Sequence, residues 1–171
     1  LCCFAIASDV EAASVSLLLD DDIPQAVFAA EDIRAALGAR SHNVRQLRLT
    51  QLTRIVDGER IVLSLSSNKS VIDAMQSEGA SPLGTLKSEG FSIRKSSKAG
   101  RTAYWVVGAD AGGVMYGGLE LAEIIRVNGL DGIKEADQNP YMAMRGTKFN
   151  IPLDVRTPSY TDLCDAGQNN I

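Results

Sequence analysis

Three features of the sequence carry groups that could do chemistry: the acidic triplet Asp20-Asp21-Asp22, the glycine-rich segment 108–113, and His42. Three successive carboxylates could bind calcium, but no second cluster of oxygen ligands is visible. We therefore favour a capping role, in which the triplet lies at the positive N-terminal end of a helix. His42 is the only histidine. A Ser-His or Cys-His hydrolase would have to build its triad on that one residue, which argues strongly against both classes.

The glycine-rich segment Gly108-Ala109-Asp110-Ala111-Gly112-Gly113 stands between an apolar strand pattern and a long helix pattern. Backbone N–H groups in a strand-turn-helix of this kind can bind a phosphate. The spacing matches neither G-x-G-x-x-G nor the Walker pattern, however. We favour a structural interpretation, in which Asp110 caps the helix and the glycines let the helix approach a sheet closely.

The cysteines offer no metal chemistry. Cys2 and Cys3 are adjacent and Cys164 is far away, so no tetrahedral set of ligands forms, and we expect neither a metal nor a cofactor. Residues 1–13 begin with an apolar run followed by small residues, which fits either the remnant of a secretory signal or a buried first strand. We predict a secreted or periplasmic protein, and no membrane span, because no apolar run approaches about 20 residues.

The composition limits the class of protein and the kind of partner. The chain has 171 residues, of which 45% are hydrophobic and 22% charged, as is typical of one globular domain. Lys and Arg number 17 against 21 Asp and Glu, a net charge of −4. Nucleic-acid binding needs clustered cations, and the densest basic stretch, Arg94 to Arg101, is interrupted by serines. We expect no nucleic-acid partner.

Hydrophobic periodicity predicts the elements that position these groups. A strand over Val15–Leu19 precedes a helix over Ile23–Leu37 that ends at Gly38. The predicted order continues with strands at 44–49 and 61–65, a short helix capped by Ser70, a hairpin of 91–93 with 104–107 around a Ser96–Gly100 turn, and a helix up to Asn128. The predicted fold is an α+β or α/β sandwich: a mixed sheet of about five strands with two main helices on one face.

The C-terminal part of the sequence predicts one more strand, Met142–Phe149, which stops at Pro152. The remaining residues, 157–171, are polar and provide few apolar side chains for a core. A chain that begins a new strand and then stops is expected to be truncated.

Three motifs together resemble a known module. They are Glu89-Gly90-Phe91-Ser92-Ile93, the strand-turn Val107-Gly108-Ala109-Asp110-Ala111-Gly112-Gly113, and the helix start Tyr116-Gly117-Gly118-Leu119-Glu120-Leu121. As a set they are similar to the N-terminal accessory domain that precedes the catalytic barrel in α-glucuronidases and β-hexosaminidases. The resemblance extends from about Val15 to about Arg156.

This resemblance implies a division of the chain and one ligand residue. Residues 14–140 would be the accessory domain, and 141–171 the start of a truncated (β/α)8 catalytic domain. Arg145-Gly146 falls where hexosaminidases carry R-G-x-x-x-D, whose Arg binds the sugar. Arg145 is therefore the candidate substrate-binding residue, although Asn150 stands in place of the Asp. The alternative for Arg145 is an ion pair with a nearby acidic residue.

The function implied is that of a non-catalytic domain. Glycoside hydrolysis needs two carboxylates, and Asp154 and Asp162 lie beyond the first barrel strand with no evident partner. Polysaccharide or oligosaccharide would bind through the missing catalytic domain. Two alternatives stay open. A carbohydrate-binding module would need exposed aromatic rings, whereas Trp105 lies in a strand predicted to be buried. A nucleotide-binding domain would need a ribose-binding acid, for which Asp131 has the right separation but lies in a loop.

Overall fold

A mixed sheet forms the centre of the fold in the computed structural model, which describes residues 14–55 and 58–142. Six strands lie in the order β2-β1-β3-β5-β4-β6. Their bounds are Ser14–Leu19 for β1, Asn43–Arg48 for β2, Glu59–Leu65 for β3, Phe91–Lys98 for β4, Arg101–Gly108 for β5 and Ala136–Gln138 for β6. β1, β2, β3 and β5 run parallel, and β4 is antiparallel to both β5 and β6. The predicted mixed sheet is confirmed, with β6 as a short addition.

Helices cover both faces of this sheet. They are α1 (Pro24–Gly38), α2 (Lys69–Ser77) and α3 (Ala111–Asn128), with 3-10 helices at Leu49–Arg54 and Leu130–Gly132. α1 and α3 pack on one face, as predicted, while α2 and the first 3-10 helix pack on the other. None of the helices in the described part of the chain is long and apolar enough to cross a membrane.

The face under α1 and α3, called here the helical face, is built mostly from aliphatic side chains of alternate strand positions. Buried members include Val15, Leu17, Leu19, Ile61, Leu63, Ile93 and Val106 from the sheet, with Ile33, Leu37, Val114, Leu121 and Ile125 from the helices. Small residues let the layers approach closely. A Cβ built on Gly118 would lie 2.6 Å from Cβ of Ala29, so only glycine allows α3 to come this near to α1.

The opposite face of the sheet, which faces α2 and is called here the polar face, has a mixed core. Leu18, Val62, Trp105 and Val107 pack against Leu52, Val71 and Met75. The buried polar or charged residues of the described chain, Arg60, Ser64, Ser92, Arg94 and Ser96, alternate with helical-face residues along β3 and β4 and therefore lie on this face. Each needs a hydrogen-bond partner, because burial removes water from it.

The hairpin of β4 and β5 is tighter than predicted. Lys98 pairs with Arg101, which leaves Ala99 and Gly100 as a two-residue turn. Both have positive φ, 52° and 76°, as a two-residue hairpin turn matching the twist of the strands requires. The longer Ser96–Gly100 turn was wrong because strand pairing continues through the polar residues that had suggested a loop.

Candidate functional site

A cleft lies at the carboxyl edge of the sheet, where β1, β2 and β3 end. After β1 the chain moves to β2 on one side, and after β2 it moves to β3 on the other side of β1. In open α/β sheets such a reversal of direction leaves a crevice outside the strand ends, and ligands commonly bind there. The cleft has a volume of about 440 Å³. Its lining comprises Leu19, Asp20, Asp21, Asp22, Arg48, Leu49, Thr50, Leu52, Thr53, Asn68, Ser70 and Val71.

The acidic triplet lines this cleft but does not cap α1. Ile23 is the N-cap residue, without a side-chain hydrogen bond, and Pro24 begins the helix. Asp20 instead accepts the backbone N–H of Asp22 at 3.1 Å, and Asp21 pairs with Nε of Arg48 at 2.8 Å. The capping prediction was wrong because proline at the first helical position leaves fewer N–H groups to satisfy. Across residues 14–55 and 58–142, no group of three or more His, Cys, Asp or Glu side chains is arranged to hold a metal ion.

The start of α2 forms the other wall of the cleft. Asn68 caps this helix by accepting the backbone N–H of Val71 at 3.4 Å. The predicted cap, Ser70, donates its hydroxyl to Oδ1 of Asn68 at 2.8 Å and therefore supports the cap from inside the helix. The cleft thus presents carboxylates, hydroxyls, an amide and the guanidinium of Arg48 beside apolar side chains. Such a lining can hydrogen-bond a small polar ligand.

The glycine-rich turn at the start of α3 has the structural role favoured from the sequence. Oδ1 of Asp110 accepts the N–H of Gly113 at 2.9 Å, and Oδ2 accepts both the N–H of Glu89 and the hydroxyl of Ser88 at 2.9 Å. Partial burial alone would raise the pKa of Asp110. Hydrogen bonds from Glu89, Gly113, Ser88 and Gly112 outweigh that effect and lower the pKa below its usual range.

The neighbouring loop occupies the space that a phosphate would need. The N–H of Ala109 donates to the carbonyl of Gly90 at 2.9 Å. A Cβ built on Gly113 would overlap that same carbonyl oxygen. The glycines therefore accommodate close packing between the loop and α3, and the N–H groups of the helix start are directed to Asp110 and not to an open cradle.

Trp105, the single tryptophan, is fully buried. Its Nε1 donates to Oγ of Ser96 at 2.9 Å, and the guanidinium of Arg60 lies 5.5 Å from the ring centroid. A buried ring in this position stabilises the polar face and presents no platform for a sugar. The exposed aromatic residues of the described chain are Phe28, Tyr116 and Tyr141.

Asp131, one of the remaining predicted site residues, does not line the cleft. It lies in the 3-10 helix that follows α3 and not at the carboxyl end of a strand, where a ribose-binding acid would be needed. Arg145, the candidate sugar ligand, lies outside the described residues, as do Asn150, Asp154 and Asp162. Residues 1–13, proposed as a signal remnant or first strand, also lie outside them.

Two buried arginines were not foreseen from the sequence. Arg60 pairs with Glu78, and Arg94 donates to the carbonyls of Pro82 and Ala136 and to both oxygens of Asp137 at 2.7 and 2.8 Å. Partial burial raises the pKa of Asp137, but hydrogen bonds from Ser92, Arg94 and the N–H of Gly84 exceed that effect and lower it overall. Asp137 therefore stabilises the fold in its ionised form.

Comparison with known proteins locates this fold. No protein-family model matches the sequence, and no curated protein matches it either. Among solved structures, the chain is similar to a GH138 enzyme targeting pectin rhamnogalacturonan II, with 23% sequence identity and a TM-score of 0.50. The match covers 77% of this chain and 16% of that one. A second structure, CpGH84D, matches with 10% identity and a TM-score of 0.47, over 72% of this chain and 19% of that one.

The fold is therefore one that occurs as part of a glycoside hydrolase structure. The chain spans only about a sixth of the length of the GH138 enzyme, since the match covers 16% of that chain. What the whole enzyme does is consequently a separate question from what this domain does.

Proposed function

We propose that residues 14–140 are a non-catalytic accessory domain of a glycoside hydrolase of the α-glucuronidase-like kind, which acts on uronic-acid-containing polysaccharide. The observation that carries the proposal is the likeness of the fold to a small part, 16%, of an enzyme that targets a pectin. Residues 141–171 would begin the (β/α)8 catalytic domain, in which Arg145 would contact the sugar. Hydrolysis would reside in that domain.

The pKa values of two described carboxylates favour a non-catalytic role for this domain. A glycosidase needs a protonated general acid, whose pKa is raised, opposite an ionised carboxylate. Asp110 and Asp137 have lowered pKa values, and both are engaged in holding loops to the sheet. Their environment keeps them ionised and is the opposite of what a general acid requires.

The two alternative functions receive less support. Trp105 is buried, so a stand-alone carbohydrate-binding module would have to use other rings for stacking. A nucleotide would have to displace the loop at Gly90 from the start of α3, where Asp110 already accepts the helix N–H groups.

The proposal extends to the surroundings of the protein. A polysaccharide substrate outside the cell requires a secreted or periplasmic enzyme. Its partner would be polysaccharide or oligosaccharide, and not nucleic acid, in keeping with the net charge of −4. No cofactor enters the proposal, because glycoside hydrolysis by paired carboxylates needs none.

A turnover assay tests this proposal. The purified 171-residue chain is incubated with nitrophenyl glycosides of glucuronic acid, galacturonic acid, rhamnose and N-acetylglucosamine. We expect no release of nitrophenol above that of buffer. Hydrolytic activity that co-elutes with the chain in size-exclusion chromatography would overturn the non-catalytic role. A second test is to read the coding sequence beyond residue 171. There the proposal predicts alternating strand and helix patterns, with an Asp or Glu at the ends of two of the strands.

A further inference from the structure

A second concave region lies on the polar face, beside the starts of β1 and β2. This basic groove has a volume of about 360 Å³ and is lined by Ser14, Ser16, Arg45, Leu47, Gln51 and Arg54, among others. It is separate from the carboxyl-edge cleft, which lies where the same strands end. A volume of this size is within the range of small-molecule sites.

Strand register and the first 3-10 helix bring the groove together. Ser16 of β1 pairs with Arg45 of β2, so their side chains are neighbours on one face of the sheet. The chain then turns into the 3-10 helix, where the side chain of Gln51 accepts the N–H of Arg48 at 3.2 Å. This turn places Arg54 on the same groove as Arg45, although the two are in different elements.

The two arginines of the groove differ from four other arginines of the described chain. Elsewhere, Arg48, Arg60, Arg94 and Arg126 each have a carboxylate partner. Arg45 and Arg54 are exposed and have no ion pair with any residue in 14–55 or 58–142, and no described carboxylate lines the groove. Two arginines thus line one groove, without counter-charge from the described residues, in a chain whose net charge is −4.

We propose that this groove binds the carboxylate of a uronic acid residue in an acidic oligosaccharide. Guanidinium groups bind carboxylates through two parallel N–H···O bonds, which favours them over other cations for this purpose. The serine hydroxyls and the amide of Gln51 supply the neutral donors and acceptors that ring hydroxyls need. The choice of a uronic acid rests on the proposed function, whereas the presence of an anion site rests on the groove alone.

A different role for Arg45 must give a different experimental result. β2 lies at the edge of the sheet, and charged residues on edge strands prevent pairing with other chains. An arginine that only protects the edge would bind tetragalacturonate no better than other exposed cations do.

The test is isothermal titration calorimetry, in which tetragalacturonate is added to the 171-residue chain at pH 7 and low salt. The groove variant is R45Q/R54Q. The matched control is R34Q/K134Q, which removes the same charge from two exposed positions outside the groove. We expect affinity to fall about tenfold or more in the groove variant, because charge-assisted hydrogen bonds are lost, and to be unchanged in the control. Fully methyl-esterified tetragalacturonate and maltotetraose have no free carboxylate. We expect neither sugar to bind to the wild-type chain or to either variant.

Three outcomes would overturn the proposal: no binding of tetragalacturonate by the wild-type chain, an equal loss in both variants, or tripolyphosphate binding as tightly as the sugar. The first two would leave edge protection as the role of Arg45, and the third would indicate a general anion site. Urea unfolding of both variants establishes that each is folded. Turnover of aryl glycosides is measured separately, so failure of the accessory-domain proposal is distinguishable from failure of the groove.

Discussion

The two faces of the sheet are stabilised by different means. The helical face has a largely apolar core, mostly aliphatic with Phe91 and Tyr104 added, and depends on close approach of α1 and α3 through small residues. The polar face buries Arg60 and Arg94 in addition to its apolar residues, and pairs them with Glu78 and Asp137. One face therefore depends on shape, and the other on hydrogen bonds and charge.

This difference follows from what covers each face. α1 and α3 present continuous apolar stripes, which can bury aliphatic strand residues completely. The polar face is covered in part by α2, and in part by the segment between α2 and β4, whose carbonyl of Pro82 accepts from Arg94. An irregular segment leaves backbone carbonyls that require donors, and arginine supplies several at once.

The largest expected effect is on the helical face, from Gly117→Leu. A Cβ at this position would lie 2.6 Å from Cγ1 of Val106 and 2.9 Å from Cγ of Phe91. Forcing α3 away from the sheet should lower the free energy of unfolding by about 3 kcal/mol or more. Urea unfolding measures it. Gly38→Ala is the control, since a Cβ there would have no heavy atom within 4 Å, and it should be neutral or stabilising by up to about 1 kcal/mol.

On the polar face, Arg94→Met should cost about 2–3 kcal/mol of unfolding free energy. The substitution keeps the apolar stem but leaves Asp137 and the carbonyls of Pro82 and Ala136 without their donor. The side chain of Asp137 is 39% exposed, which moderates the penalty. Arg34→Met, at an exposed position of α1, should change stability by less than about 0.5 kcal/mol. Equal effects of the two substitutions would contradict the importance of the buried arginine.

Acid should weaken the polar face through Asp137 and the α3 cap through Asp110. Both have folded-state pKa values below the ordinary 3.8. Their contribution is complete above that ordinary value and is lost as the pH falls through the lower folded-state pKa. Thermal unfolding between pH 7 and pH 3 should therefore show a shallower acid loss in D110N/D137N than in the wild-type chain. D73N, in an exposed pair with Lys69, should keep the wild-type slope. If the double variant lost stability with falling pH as steeply as the wild type, the acid sensitivity would not come from Asp110 and Asp137.

The smallest net effect is expected where both members of an ion pair are replaced. Arg60→Met alone leaves Glu78 without its partner and should cost about 2 kcal/mol. The double variant R60M/E78M removes both charges, along with the Nε of Arg60, which has no hydrogen-bond partner in the described chain. We expect it to lie within about 1 kcal/mol of the wild type. A double variant that loses as much stability as Arg60→Met alone would contradict this expectation and would show that the pair is net stabilising.

The order of elements was accessible from sequence because apolar periodicity reports it directly. The continuous run Ile61–Leu65 became β3, and the stripe of Val114, Leu121 and Ile125 became the buried side of α3. Asp110 was predicted as a cap from its position before two glycines, and the structure confirms it.

The polar face was not accessible in the same way. In β4, Ser92 and Arg94 alternate with the apolar Phe91 and Ile93, and Ser96 lies in a polar stretch, so the sequence locally indicates a solvent-facing side. Their cover comes from residues distant in the sequence, so no local pattern reports the burial. The short strand β6 could not be predicted for the same reason. Ala136–Gln138 shows no apolar alternation, and a contact distant in sequence, from Arg94 to Asp137, holds the strand in place.

The functional regions were predicted only in part. The acidic triplet was recognised as chemically notable but was assigned to a cap that Pro24 makes unnecessary. The basic groove was missed because Arg45 and Arg54 are unremarkable until the 3-10 helix brings them to one surface. Arg145 stays a prediction, since it lies outside the described residues.

The two-residue turn between β4 and β5 has a consequence for the order of folding. This hairpin closes a minimal loop, and hairpins of that kind form within microseconds. The parallel pairs of β1 with β3 and of β3 with β5 join residues such as Val15 with Glu59 and Arg60 with Ala103, and must first close long crossovers. We therefore expect the hairpin to be native-like in the rate-limiting transition state, with β3, then β1 and finally the edge strand β2 adding to it afterwards.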